Sequence, residues 1–378
     1  MIDVYSASVL IFLFFLLLLV WRDRKNLEIK YFVVMRRSKK GIQLIDSLAR
    51  HKLFWKFMGM LSILVALYLM SEGLVTLLFY AKAAYEGLIK IPALSLILPS
   101  PKPTAQVGPG YVLVPFWFWV LAVVSIVVPH EFFHGIMSRV EGVKIKSMGF
   151  ILVFFLPGAF VEPDEKKLKK LGLVQKLSVF CMGSFANFLV YLLTFFFLSH
   201  ILWPSLVPGP IKLVDVNETS PAYLAGLRKN MIITEINGTP IRCTYEEFLS
   251  GKGYLGDELK DVKPGDVISV IADGKEFRVV LGKNPKNETL PYLGITYSPY
   301  IPHTSYWVFI QLLTWIWSIN YAVAVFNLLP IYPLDGGLIL EAFAEKVFKE
   351  KARKFTYAIS ILVLIILLLD FFLPLRNV

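Results

Sequence analysis

The chain alternates between long apolar runs and shorter polar segments. About 20 consecutive apolar residues are enough to cross the hydrocarbon core of a bilayer as a helix. Five runs meet this length, and a sixth does so although it contains Gln311 and Asn320. The pattern predicts a polytopic α-helical membrane protein with about six transmembrane helices, at residues 4–21, 57–80, 111–137, 177–203, 305–329 and 355–373.

A shorter apolar run, at residues 148–161, does not fit a transmembrane helix. It has 14 residues, is interrupted by Gly149 and Pro157, and is rich in residues that favour strands. A run of this length is more typical of a re-entrant or interfacial segment than of a span. We therefore expect a re-entrant, β-like segment here.

Residues 211–300 break the apolar pattern. Short alternating stretches predict strands, and Asn237-Gly238 and Asp273-Gly274 between them are strong hairpin signals. About 90 residues suffice for one small β-rich domain. We therefore expect four segments. Residues 1–80 form an N-terminal transmembrane pair with a basic loop, and residues 81–210 form the first part of a membrane core. Residues 211–300 form the β-rich domain, and residues 301–378 form the second part of the core with the last span.

Composition agrees with a membrane protein and sets the orientation. Hydrophobic residues make up 56% of the chain and charged residues only 18%, which excludes a disordered chain, a nucleic-acid-binding protein and an ordinary soluble enzyme. The net charge of +11 comes largely from basic residues between the spans, with 11 basic against 3 acidic in residues 22–56. The positive-inside rule places residues 22–56, 139–176 and 341–354 in the cytoplasm, and both termini and the β-rich domain outside.

One motif in the third span predicts metal chemistry. His130-Glu131-Phe132-Phe133-His134 is an H-E-x-x-H sequence, and residues four apart share one face of a helix. Both imidazoles can therefore bind one zinc ion, and Glu131 lies beside it, where it can take a proton from a zinc-bound water. Two histidines that simply pack between helices are the alternative, but titratable residues inside a span are usually functional.

A catalytic zinc site needs a third protein ligand. The other histidines, His51, His200 and His303, fall by topology far from His130. Asp335 is the best carboxylate, in the sequence NLLPIYPLDGG, whose prolines and glycines break the helix and can return the aspartate to the depth of His130. A helix N-cap at the inner surface is the other reading of Asp335.

These motifs together resemble the site-2 protease family of intramembrane zinc metalloproteases. The resemblance also covers PGAFVEPDE at residues 157–165 and a G-x-x-x-N at Gly183 and Asn187. It implies one zinc ion per chain on His130, His134 and Asp335, with Glu131 as general acid and base, and it places Gly183 and Asn187 beside the active site. Asn187 and Asn327 then become candidates to hold the substrate or an oxyanion, with inter-helix packing as the alternative.

Two further segments have expected roles in that setting. A strand at residues 148–161 can pair with an unwinding substrate, or it simply covers the site as a loop. The β-rich domain resembles a PDZ domain of bacterial proteases, with Leu293, Gly294 and Ile295 as the candidate start of its peptide-binding strand. Such a domain binds a peptide terminus by adding a strand, or it acts only as a size filter.

The resemblance implies cleavage of a membrane protein within or next to its transmembrane helix, in regulated intramembrane proteolysis, with the active site near the cytoplasmic side of a cell membrane. The expected partners are a transmembrane protein substrate, the lipid bilayer and a peptide terminus, and no nucleic acid. Three alternatives stay open: another membrane H-E-x-x-H peptidase with Glu341 or Glu345 as third ligand, a PDZ-bearing receptor or scaffold with a structural metal, and a zinc transporter.

Overall fold

The structure is a computed structural model that describes residues 3–31, 33–89, 92, 94–153, 156–202, 210–241, 262–285, 287–300 and 307–375. It divides into two compact units, one formed by Met1–Phe195 with Leu312–Val378 and the other by Phe196–Gln311. We call them the membrane unit and the β-rich unit and describe each by itself.

The described helices are α1 Val4–Asp23, α2 Ile42–Leu48, α3 Lys52–Tyr85, α4 Phe116–Val140, α5 Glu165–Lys169, α6 Leu173–Phe197, α7 Pro221–Leu224, α8 Trp307–Asn327, α9 Asp335–Phe348 and α10 Ala352–Leu375. The described strands are β1 Leu27–Lys30, β2 Val33–Ser38, β3 Leu96–Ser100, β4 Gln106–Gly108, β5 Tyr111–Pro115, β6 Ile145–Val153, β7 Leu156–Pro163, β8 Ile211–Val216, β9 Ile232–Ile236, β10 Thr239–Pro240, β11 Val267–Ala272, β12 Lys275–Val280, β13 Gly282–Asn284, β14 Asn287–Tyr292 and β15 Ile295–Pro299.

The predicted number of spans agrees with the structure, but the start of the third is wrong. Tyr111–Pro115 forms strand β5, so the third helix begins at Phe116 and not at residue 111. Among the described residues, six helical stretches are long and apolar enough to cross a membrane, the last of them joining α9 and α10. The second helix, α3, has 34 residues and is longer than the predicted span. A helix rises about 1.5 Å per residue, so the ends of α3 extend beyond a hydrocarbon core of about 30 Å. Trp203 and Ser305, where two predicted spans end and begin, lie outside the described residues.

The segment expected to be re-entrant forms a β-hairpin within a larger sheet. Strands β6 and β7 pair antiparallel, and the sheet order is β1-β2-β6-β7. Residues 22–56 were expected to be a basic loop that fixes orientation. Part of this segment is instead a strand, because β2 pairs with β6 from Val33 opposite Val153 to Ser38 opposite Met148. The many Lys and Arg residues of this segment hid the alternation of apolar and polar residues that would have predicted a strand. Gly149 allows the close approach, since a Cβ there would collide with the backbone carbonyl of Arg36.

The chain reverses between α8 and α9 as the prolines and glycines predicted. Residues 328–334 form tight turns, with Ile331 N–H donating to the Leu329 carbonyl and Leu334 N–H donating to the Ile331 carbonyl. A Cβ on Gly337 would lie 2.6 Å from the Tyr332 nitrogen, and one on Gly336 would collide with the Leu328 carbonyl. Glycine at both positions therefore lets α9 begin directly against these turns.

Buried side chains join α4 to α6 and α2 in the membrane unit. Ile136 and Met137 of α4 pack with Met182 and Phe185 of α6 and with Ile45 of α2, all at most 2% exposed. A second cluster joins α3, α6, α8 and α9 through Leu69, Cys181, Ala324, Leu328 and Ile339. Helix α6 thus lies between the helix that carries the H-E-x-x-H motif and the one that begins with Asp335.

The β-rich unit has the small strand-rich fold that its composition predicted. One sheet has the order β12-β11-β9-β8-β15, with β10 paired to β9. Asn237-Gly238 and Asp273-Gly274 both have positive φ, which confirms the two hairpin turns. Its core is aliphatic, with Ile211, Leu213, Ile233, Ile236, Ile268 and Val270 fully buried.

Candidate metal centre

Helix α4 presents the two histidines of the motif on one face. His130 and His134 are four residues apart, and their Nε2 atoms lie 3.2 Å from each other. Asp335 begins α9 and reaches both, with Oδ2 3.5 Å from Nε2 of His130 and Oδ1 3.3 Å from Nε2 of His134. The structure therefore brings together the three residues that the sequence nominated as ligands.

The spacing and chemistry of this group fit a tetrahedral zinc ion. Zn–N and Zn–O bonds of about 2.0–2.1 Å at tetrahedral angles put neighbouring ligand atoms about 3.3 Å apart. The Nε2–Nε2 distance of 3.2 Å, and the Nε2–oxygen distances of 3.3 and 3.5 Å to the two oxygens of Asp335, lie close to that value. Two imidazoles and one carboxylate also leave one position of a four-coordinate site for water, as catalytic zinc sites do.

Each histidine is fixed by a partner on its other ring nitrogen. Nδ1–H of His134 donates to the backbone carbonyl of Val179 at 2.7 Å, and since a carbonyl only accepts, Nε2 must carry the free lone pair. Nδ1 of His130 lies 3.2 Å from Nδ2 of Asn187, whose buried Oδ1 has no hydrogen-bond partner. A half-turn of this amide lets Oδ1 accept from Nδ1–H of His130, which satisfies Oδ1 and frees Nε2.

Gly183 and Asn187 of the G-x-x-x-N motif face the same site from α6. A Cβ on Gly183 would fall 2.7 Å from Nε2 of His130 and closer still to Nε2 of His134. Asn187 is fully buried against His130. Asn327 ends α8 and is half-buried, and no hydrogen bond joins its amide to the described residues of the site.

Ser184 is a site residue that the sequence analysis missed. Its Oγ donates to Oδ2 of Asp335 at 2.8 Å, and the serine is fully buried. The available signal was a hydroxyl directly after Gly183, but a serine inside a span more often bonds its own helix, as Ser178 does through the Gln175 carbonyl. Ser184 instead orients the carboxylate that faces both histidines.

We expect Ser184→Ala to weaken zinc binding by about 10- to 100-fold, because groups that orient metal ligands typically contribute this much to affinity. The measurement is a zinc titration of the purified protein against a competing chelator. Ser178→Ala is the matched control, since it removes a buried hydroxyl from the same helix without touching Asp335. Equal zinc affinities for the two variants would contradict the role of Ser184.

Glu131 lies next to the metal group and is held by the sheet. Its Oε2 accepts a hydrogen bond of 2.9 Å from the backbone N–H of Val161 in β7. This N–H points away from β6, so the outer edge of β7 faces α4 at this residue. Glu131 therefore links the motif on α4 to the outer edge of β7.

The acidic residues at the end of β7 and just after it have partners outside the metal group. Glu162 accepts from Ser147 and pairs with Arg37, and these partners hold the pKa of its carboxyl below its usual value. Asp164 caps the start of α5. Among the described residues, the possible metal-binding group comprises His130, His134 and Asp335, while His303 lies outside them.

The three candidate peptide-binding residues lie at one edge of the β-rich unit. Leu293 is buried, and Gly294 has a φ of +77° and lies close to Ser220. Ile295 begins β15, which pairs with β8 and forms one end of the sheet order. The geometry gives this strand an outer edge within the described part of the unit.

Comparison with known proteins agrees with the geometry of the site. An uncharacterised protein of Methanocaldococcus jannaschii, MJ0971, is 29% identical over 361 residues, which cover 93% of this chain and 88% of the relative. The family model of peptidase family M50 matches residues 118–369, which include the H-E-x-x-H motif, α6 and Asp335. The chain therefore belongs to peptidase family M50, the site-2 protease family of membrane metallopeptidases.

Proposed function

We propose that this protein is an intramembrane zinc endopeptidase that cleaves a membrane protein within or next to a transmembrane helix, in regulated intramembrane proteolysis. The observation that carries the proposal is the group of His130, His134 and Asp335, with Glu131 beside it, on helices apolar enough to cross a membrane. Charged and metal-binding residues are costly in a bilayer, and they persist there for function.

The motif lies closer to the end of α4 at Val140 than to its start at Phe116. His130 is ten residues from the end of the helix at Val140, a rise of about 15 Å. The segment that follows is rich in Lys and Arg, which favours the cytoplasmic side. Water for hydrolysis would then enter from the cytoplasm.

The residues of the site have distinct roles in the proposed hydrolysis. A bound zinc ion would polarise the scissile carbonyl and lower the pKa of a bound water. Glu131 accepts the proton of the attacking water and passes it to the leaving amine. Val179 and Asn187 keep the two imidazoles in the orientation that presents Nε2, and Ser184 does the same for the Asp335 carboxylate.

A substrate helix must open before its peptide bond can be cut. Strand β7 ends the sheet order of the membrane unit among the described residues, so its outer edge can pair with an extended substrate segment. Val161 on this edge bonds Glu131, which would bring the substrate backbone to the proposed base. Asn327 remains a candidate to hold that backbone or an oxyanion.

We further propose that the β-rich unit is a PDZ-like domain on the extracytoplasmic side. The turn at Gly294 and the strand beginning at Ile295 form an edge where a peptide terminus can add as a strand. A role as a size filter that excludes substrates with large outer domains is compatible with the same fold. If the domain binds peptides, a peptide with a free terminus should bind the intact protein, and substitutions at Ile295 should lower the affinity for that peptide.

The rival assignments lack support in the site. A membrane peptidase with a glutamate as third ligand would use Glu341 or Glu345, but Glu345 pairs with Lys176 at 2.6 Å and neither joins the metal group. A purely structural metal needs no adjacent base such as Glu131. A transporter needs ligands at several depths, whereas the described metal-binding group lies at one.

Asp335→Ala is expected to lose bound zinc and cleavage together, because it removes one of three protein ligands. The measurement is zinc content, with cleavage of a tagged single-span substrate in detergent. Glu341→Ala is the matched control on the same helix and should keep both. An Asp335→Ala protein that retains zinc and activity would reject this ligand set and favour the rival peptidase.

A further inference from the structure

A cavity of about 330 Å³ lies between the sheet and α4 in the membrane unit. Its α4 wall is formed by Val128, Glu131 and Phe132. Val128 lies three residues before Glu131 and four before Phe132, so it shares a helix face with each of them. The proposed catalytic base is therefore part of the wall of this cavity. None of the three metal-binding residues lines it.

The sheet wall follows from strand register. Arg36, Phe150 and Ala159 lie opposite one another across β2, β6 and β7, and Ser38, Met148 and Val161 form the next row. Side chains in register share one face of a sheet, so these six residues present a single face. All six line the cavity.

The opposite face of the same sheet has a different character. Arg37 and Glu162 pair there, and both line a second cavity of about 680 Å³. The walls of this second cavity include the ion pair of Lys176 with Glu345. Near β7 the first face therefore carries the apolar side chains of Met148, Phe150 and Ala159, although Arg36 and Lys40 also line its cavity. The other face carries the Arg37–Glu162 pair.

A strand added to the outer edge of β7 would place its side chains alternately on these two faces. The residue opposite Ala159 shares its face and points into the apolar cavity. The N–H of Val161 bonds Glu131, so that substrate residue lies beside the base that activates the attacking water. The residues before and after it point to the charged face.

We propose that the apolar cavity is the side-chain subsite for the substrate residue next to the scissile bond, and that it selects a large apolar side chain such as Leu, Phe or Met. The inference rests on the proposed function and deepens it. The flanking substrate positions tolerate polar side chains, because they face the charged cavity. The enzyme thus recognises an alternating pattern in an extended segment.

The test is a panel of tagged single-span substrates in which each position around the mapped cleavage site is changed in turn to Leu, Phe, Ala or Gly. Wild-type protein should prefer large apolar residues at one position, by about tenfold or more in kcat/KM, and show little preference at its neighbours. Ala159→Leu narrows the cavity beside the outer edge of β7 and should weaken the preference for the largest side chains. Phe150→Ala widens the cavity and should weaken the preference without abolishing cleavage.

Ile151→Ala is the matched control, because Ile151 follows Phe150 on β6 but faces the other side of the sheet and lies outside the cavity lining. It should leave the preference unchanged. Zinc content of each variant shows that the metal group has formed. A preference that shifts equally in Ile151→Ala, or does not shift in Ala159→Leu and Phe150→Ala, overturns the subsite.

Two further outcomes separate the possible failures. If wild-type protein cleaves no substrate although it holds zinc, the proposed function fails and the subsite falls with it. If it cleaves but its preference is unchanged in the variants, only the subsite fails. Phospholipid that copurifies with wild-type protein but not with Ala159→Leu, with unchanged preference, would show that a lipid chain occupies the cavity instead.

Discussion

Replacing Glu131 with glutamine is expected to lower cleavage of a single-span substrate by about 10²- to 10⁴-fold, the usual contribution of a general base. Glutamine has the same shape but cannot take a proton from water at neutral pH. Its amide oxygen can still accept the hydrogen bond from Val161, so β7 should stay in place. Glu131 is outside the group of three ligands, and the variant should therefore keep its zinc.

The measurement compares wild type and Glu131→Gln, purified in the same detergent, for cleavage and for zinc content. Glu141→Gln is the matched control, because it removes a carboxylate just after the end of the same helix. The side chain of Glu141 accepts a hydrogen bond from Gln175 and is not part of the metal group. It should cleave like wild type. Cleavage by Glu131→Gln at the wild-type rate would mean that another group, or a contaminant, performs the chemistry.

The spans and the third metal ligand could be predicted because both depend on local signals. Apolar length defines the spans, and the helix breakers before Asp335 predict a reversed chain. The H-E-x-x-H spacing likewise fixes two ligands on one helix face. Each of these inferences uses residues close in sequence.

The rest of the site depends on contacts between distant residues, which no local pattern records. Ser184 reaches Asp335 across 151 positions, and a buried serine gives no sign of its partner. The pairing of β2 with β6 joins residues more than 100 positions apart, and the arginines of β2 favoured a solvated loop. Helices α4, α6 and α9 must pack before such contacts exist.

Gly183 is explained by a local sequence signal together with a contact between distant residues. Glycine within a helix destabilises it by about 0.5–1 kcal/mol relative to alanine, and Gly183 lies within α6. Its presence therefore needs a reason other than helix formation. The structure supplies one, since the space that a Cβ would occupy is taken by the two imidazole rings.

We expect Gly183→Ala to abolish zinc binding, with affinity reduced at least about 100-fold and no detectable cleavage, because the added methyl group displaces the Nε2 atoms of both histidines. Alanine favours helix, so α6 itself should persist. The measurements are zinc content, cleavage and thermal stability in detergent. Gly172→Ala, just before α6, is the matched control, because its Cβ would make only an ordinary 3.5 Å contact with Gln175. Gly183→Ala protein that binds zinc as wild type does would show that the imidazoles are not held against α6 at the metal centre.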